Sequence, residues 1–224
     1  MIDGKTLVAV CEARSVQSCP CCDNTPKELG KKENIFNGKF EPKENRLIYG
    51  LSDLHLWICC FEAFLNIGYK KITKDPRSEK KEVLDHKNVI KKRFLDDMKM
   101  KVDSITPQGV TNTGNVARRA FSDIEKFAKC LDFDEPEKDI LILIRNILLA
   151  VSSRFPIDAN RFRDYSFEIC VKWFDTFDWY PMTPTVHKLL IHGSDIIEQS
   201  TLPIGVLSEQ AAESRNKFLK NDRF

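Results

Sequence analysis

Thr185-Val186-His187-Lys188-Leu189-Leu190-Ile191-His192 runs on into Gly193-Ser194-Asp195-Ile196-Ile197-Glu198, and Ser208-Glu209-Gln210-Ala211-Ala212-Glu213-Ser214-Arg215-Asn216-Lys217 follows a short way on. Pro184 ahead of the first piece predicts a helix over residues 184–191 that breaks at Gly193. On such a helix His187 and His192, five positions apart, lie about 140° round and do not share a face as an i, i+4 pair would. A break at Gly193 would let both imidazoles turn toward one ion. Further on, Ser208 suits an N-cap, and Glu209 and Glu213 then point the same way, four residues apart. The plainer readings are a satisfied histidine pair and a solvated helix face.

Working outward, the partner for that histidine pair is sought at the other end of the chain. Ser18-Cys19-Pro20-Cys21-Cys22-Asp23-Asn24-Thr25-Pro26 holds Cys19 and Cys22 at C-x-x-C spacing, half of a tetrahedral zinc site. There is no second C-x-x-C close by, so a metal here needs distant ligands. A redox C-x-x-C and a plain cysteine-rich turn are the competing readings. Cys59, Cys60, Cys130 and Cys170 fall inside apolar helical patterns and read as core residues.

Composition narrows the classes. The 224 residues, 42% of them hydrophobic, suffice for a sizeable core. With 35 Lys+Arg against 33 Asp+Glu the net charge is only +2, so a nucleic-acid surface must come from local clustering. No apolar run approaches a membrane span, and Met1-Ile2-Asp3-Gly4-Lys5 does not read as a secretory signal. A reducing compartment is therefore the expectation, and its cysteines suit metal ligation or burial better than disulfides.

Between these two pieces the sequence predicts helices. Residues 2–10 read as a turn and a short strand with Asp3 at its start, and residues 30–50, rich in Lys, Glu, Asn, Pro and Gly, as a surface linker. Ser52 opens a helix over residues 53–71 with a wide apolar face. Asp75-Pro76 opens a charged one with a stripe of Val83, Ile90, Phe94 and Met98. Next, Asn112-Thr113-Gly114-Asn115-Val116-Ala117-Arg118-Arg119 leads into one amphipathic helix with Val116, Ala120, Ile124, Phe127 and Leu131 inward. Amides, open backbone N–H groups and two arginines at its start suit either phosphate binding or a capped, solvated end. Asp134-Glu135-Pro136 starts the most apolar helix and Asp158 caps another.

Taken in order, these pieces resemble the catalytic core shared by Transib transposases and the catalytic subunit of the V(D)J recombinase, the recombination-activating family. The resemblance rests on Asp3-Gly4-Lys5, Cys19 through Pro26, Leu54-His55-Leu56-Trp57-Ile58, Thr113 through Arg119, Val186 through His192 with Ile196-Ile197-Glu198, and Ser208-Glu209 through Asn216-Lys217. It implies a mainly α fold: a partial RNase H-like (DDE) core over residues 1–17, a zinc-stapled helical insertion over 18–206, and a catalytic-glutamate helix over 207–224. By position it makes Asp3 the second catalytic aspartate and Glu209 the glutamate, with Glu213 in reserve, and it makes Cys19, Cys22, His187 and His192 the zinc ligands. Asn115, Arg118, Arg119 and Lys217 become DNA contacts. The first aspartate is expected upstream of Asp3, so the resemblance implies two of three carboxylates and a chain inactive alone. Structural Zn²⁺, catalytic Mg²⁺ or Mn²⁺, a DNA partner, a homodimer with an accessory subunit, and a nuclear location complete the expectation. The alternative is a co-opted, catalytically dead zinc-dependent DNA-binding or protein-interaction module.

Overall fold

A computed structural model describes residue 15 and residues 17–106 and 109–207, and within these the chain is mainly helical. Asp3, Glu209, Glu213 and Lys217, with the strand and helix expected to carry them, lie outside the described residues. Three single-turn helices come first, α1 (Pro26–Leu29), α2 (Glu33–Phe36) and α3 (Glu44–Leu47). The longer helices are α4 (Asp53–Lys70), α5 (Lys81–Met98), α6 (Gly114–Ser122), α7 (Ile124–Leu131), α8 (Glu135–Ser152), α9 (Ala159–Thr176) and α10 (Pro184–Gln199). A hairpin of β1 (Ile105–Thr106) and β2 (Gly109–Val110) pairs Ile105 with Val110, and a 3₁₀ turn, Ile204–Leu207, packs on α8.

The helix starts follow local chemistry. Ser52 accepts from the His55 N–H, Asp158 from those of Asn160 and Arg161, and Thr183 from that of Val186, with Pro184 next in line. At α8 the cap is reciprocal: the Glu137 N–H donates to Asp134 and the Asp134 N–H donates to the Glu137 carboxylate. The central element is α4, twelve of whose eighteen residues are buried, packed against α5, α6, α7, α8 and α10. Its Phe61 and Phe64 enter an aromatic core with Phe94, Phe121, Phe127, Trp173 and Phe177, whose ring centroids stand 5.1 to 6.4 Å apart, mostly edge to face.

Four expectations need correction. The helix of residues 184–191 does not break at Gly193 but runs through it to Gln199. A Cβ there would stand 2.6 Å from Phe162 Cε1, so the glycine permits α9 and α10 to pack closely. Asp75-Pro76 does not open the charged helix: the Asp75 carboxylate accepts from the Arg77 N–H at 2.9 Å and its carbonyl from Ser78, closing a turn, and α5 starts at Lys81. The single helix read from residue 116 to 131 is two, because Asp123 leaves helical geometry (φ −126°, ψ 82°) to cap α7 through the Lys126 N–H; Val116 packs half-buried against the core and Ala117 is fully buried. Residues 30–50 are not a surface linker throughout, since Asn34, Phe40 and Leu47 are buried.

Candidate metal centre

Two elements build the site. The first is the turn at Cys19-Pro20-Cys21-Cys22-Asp23, closed by the Asp23 N–H to the Cys19 carbonyl at 2.8 Å and by the Cys19 N–H to the Asn24 carbonyl at 2.9 Å. Asp23 takes a left-handed backbone (φ 60°), which Asp tolerates better than most residues. Its carboxylate pairs with Lys43 and Arg46, and Arg46 also donates to the Pro20 carbonyl at 3.1 Å. The turn is thereby tied to α3.

The second element is the first half of α10, which buries His187 and His192. Their ring centroids are 5.1 Å apart at 73°, so the imidazoles converge from one unbroken helix despite their angular offset. Cys19, Cys22, His187 and His192 each bring one donor atom, and these atoms all lie within 4.8 Å of one another. Cys22 Sγ stands 3.5 Å from His187 Nε2, against about 3.6 Å for the S···N edge of a tetrahedral zinc site built with ordinary bond lengths.

The chemistry of the donors fits a metal. Both ring nitrogens of His192, fully buried, have no hydrogen-bond partner, a costly arrangement in a protein interior unless an ion accepts a lone pair. The Cys19 thiol's hydrogen bond, then that from His187, hold Cys22 well below the usual thiol range, favouring the thiolate. Burial pushes Cys19 the other way, with Cys21 and Cys22 adding to it. A second thiolate at this distance requires a cation. Burial also lowers His187, which keeps its imidazole neutral, the ligating form. The group could hold a metal ion such as zinc.

Sequence reasoning missed the surroundings. Phe40 sets its ring edge-on to His187 at 4.5 Å between centroids and walls the site, although it lies in the stretch read as linker. Its being apolar amid Lys, Asn, Gly and Pro was the available signal. Lys188, buried, donates to the Gly50 carbonyl. Cys21 is buried beside the ligands and lowered to about 7, first by the Cys19 hydrogen bond and then by the charges of Lys188 and His192. The other described cysteines are free: Cys60, Cys130 and Cys170 are buried as expected of core residues, with desolvation raising the last two to about 11 and about 12, whereas Cys59, also read as core, is only half-buried.

The other expected site residues lie elsewhere. Asn115, Arg118 and Arg119 are on α6, but Arg118 turns to the protein: it donates to Asp53 at 2.9 Å and lies 5.4 Å from the Trp57 ring. Arg119 donates to the Met98 carbonyl at 2.9 Å. The Asn112 amide, in the stretch suited either to phosphate binding or to a capped end, accepts from the Asp103 N–H and donates to Glu62. Asn115 is exposed near the start of α6. No family model matches the chain, and no curated protein matches it significantly. Among the described residues no helix is long and apolar enough to cross a membrane.

Proposed function

We propose that this chain is the zinc-stapled helical part of a DDE-type DNA transposase or recombinase of the Transib and recombination-activating kind. The observation that carries the reading is the meeting of Cys19 and Cys22 with His187 and His192, where Cys22 and His187 are 165 residues apart. A staple at that separation holds the two ends of a long helical insertion together. The enzyme reading needs that arrangement if Asp3, before the insertion, and Glu209, after it, are to reach one site, with Glu213 in reserve.

In this reading four protein ligands complete the zinc coordination, so the ion is structural and leaves no open position for chemistry. Strand cleavage belongs to the carboxylates. With Mg²⁺ or Mn²⁺ bound, they would activate water against a phosphodiester and then the freed 3′-hydroxyl against a second strand, the two ions standing about 3.5–4 Å apart. Asp3 and Glu209 are two of the three carboxylates such chemistry uses. Of the proposed DNA contacts, Asn115 and Arg119 are exposed on α6.

The test uses the full chain purified without added zinc, analysed for metal and titrated with duplex DNA at several salt concentrations. About one zinc per chain is expected, falling on Cys22→Ser or His192→Ala. The DNA affinity should fall with salt, and its slope should flatten by about one on Arg119→Ala if that residue meets a phosphate. Mn²⁺-dependent nicking lost on Asp3→Ala would support the enzyme. Zinc and DNA binding with no nicking in Mn²⁺ would favour the co-opted module. No affinity for DNA at low salt would overturn the enzyme and the DNA-binding module alike and favour a zinc-dependent protein-interaction module.

A further inference from the structure

Residues 178–184, which lead into α10, and residues 25–30, which leave the cysteine turn, form two sides of a half-open cavity of about 720 Å³. That lies within the roughly 300–1,000 Å³ of ordinary ligand sites. Pro76 and Arg77, from the turn before α5, line a third side. The first two sides touch, since a Cβ on Gly30 would stand 3.2 Å from Pro181 Cβ. They are continuous with the turn and the helix that the metal ligands join, so the staple sets the width of the cavity. Trp179 is half-buried and Tyr180 is 9% exposed, and their rings make a corner, at 74° with centroids 5.5 Å apart.

Neither the Trp179 indole N–H nor the Tyr180 hydroxyl has a hydrogen-bond partner among the described residues, and neither atom is sealed from solvent as the Tyr69 hydroxyl is. A phenol on a side chain nine-tenths buried, lining a cavity and bonded to nothing, is placed for a ligand. Burial pushes Tyr180 up to about 12, so its hydroxyl keeps its proton, and the corner offers two donors. The rest of the lining narrows what accepts them. Pro26, Pro76, Pro181, Met182 and Pro184 are apolar. The rim is of mixed sign: Lys27 and Arg77 stand against Asp178, with the Asp75 carboxylate on the Arg77 N–H and that of Glu28 on the Thr25 N–H. A nucleic-acid strand, which binds by neutralising phosphates, gains little from such a rim. A neutral chain with free carbonyls and apolar rings gains from all of it. The polyproline II helix is such a chain, because it has no internal hydrogen bonds, seats its prolines on aromatic side chains and loses little freedom on binding.

We propose that this cavity binds a proline-rich segment of a partner protein in the polyproline II conformation. Its proline rings seat in the corner of Trp179 and Tyr180, and its carbonyls accept from the indole N–H and the phenol. The proposal does not depend on the transposase reading, since it uses neither DNA nor the carboxylates; it needs only the tied cysteine turn.

The experiment is a fluorescence-anisotropy titration of fluorescein-labelled decaproline with the zinc-replete full chain, and in parallel of a labelled Gly-Ser peptide of equal length. Saturable binding of decaproline is expected, with a Kd on the order of 100 μM, and binding of the Gly-Ser peptide about tenfold weaker or less. Trp179→Ala should weaken decaproline binding by about tenfold or more. Tyr180→Phe should weaken it severalfold and leave the Tm unchanged, because it breaks no bond within the protein. Unlabelled oligothymidylate should not displace the peptide, whatever it binds elsewhere. Absence of saturable binding, equal binding of the Gly-Ser peptide, or unaltered affinity in either variant would overturn the proposal. Displacement by oligothymidylate would overturn it in favour of a nucleic-acid pocket, and a lowered Tm in Tyr180→Phe would overturn it by giving the hydroxyl a structural role.

Discussion

Arg118 has two chemistries open to it, a phosphate outside or a carboxylate inside, and its surroundings select the second. Its guanidinium donates to Asp53, which is buried and also accepts from Trp57 Nε1 at 3.2 Å and from the Ser152 hydroxyl. Truncating Arg118 leaves a buried carboxylate short of its countercharge. Full removal of a partner from a buried pair costs about 3–5 kcal/mol. The Arg118 side chain is 28% exposed and Asp53 keeps its other donors, so a smaller loss of about 2–3 kcal/mol is expected for Arg118→Ala in urea unfolding. Arg119→Ala, which removes one bond to a carbonyl from an exposed residue, should cost under about 1.5 kcal/mol. A loss below about 1 kcal/mol for Arg118→Ala would show that Asp53 does not depend on it. The contrast also makes Arg119→Ala the cleaner DNA-binding variant, since a doubly substituted protein would mix lost contacts with lost stability.

At the scale of an element, α10 shows how packing reverses a local signal. Glycine inside a helix costs roughly 1 kcal/mol relative to alanine, so Gly193→Ala would stabilise an isolated α10. Here the new Cβ would meet Phe162 at 2.6 and 3.1 Å, and Phe162 is buried with little room to withdraw. Overpacking costs about 1–3 kcal/mol, so the balance should be a net destabilisation of about 1 kcal/mol, and Phe162→Leu in the same protein should recover most of it. Thermal unfolding of the two variants measures this. A stabilised Gly193→Ala would mean that α9 and α10 are not held at that spacing. The straightness of α10 matters to the metal centre, because a break at residue 193 would detach the second half of the helix from the α9 contact that supports His192.

At the scale of the whole molecule, the staple and the aromatic core are separate sources of stability. The metal ligands join the Cys19 turn to α10, whereas Phe61, Phe64, Phe121, Phe127 and Trp173 hold α4, α6, α7 and α9 together without them. Removing metal with a chelator should therefore keep most of the helical circular-dichroism signal. It should lower the Tm by about 10 °C or more, given several kcal/mol of binding energy and about 2–4 °C per kcal/mol in a chain of this size. Limited proteolysis of the chelated protein should cut first within residues 17–50, whose burial depends on the tied turn. Complete loss of helical signal would show that the core cannot stand without the ion. An unchanged Tm would show that the four side chains hold no metal that matters to folding.

Caps, periods and ligand types were readable in the chain itself because they act over three or four residues. Ser52, Asp134 with Glu137, Asp158 and Thr183-Pro184 open helices, and the C-x-x-C spacing marks half a metal site. The same local logic does not say which of two competing bonds a residue makes. Asp75 closes a turn where it also suits a helix start, Asp123 splits a pattern that is continuous in period, and Arg118 finds Asp53, 65 residues away. Convergence of His187 and His192 on Cys19 and Cys22 is of this second kind. Spacing round an ideal helix argued against it, and it arises because α10 stays unbroken against α9 while Asp23, Lys43 and Arg46 pin the cysteine turn where both imidazoles can reach it. Local sequence carries the donor atoms, but a common point in space for them depends on packing between segments 165 residues apart.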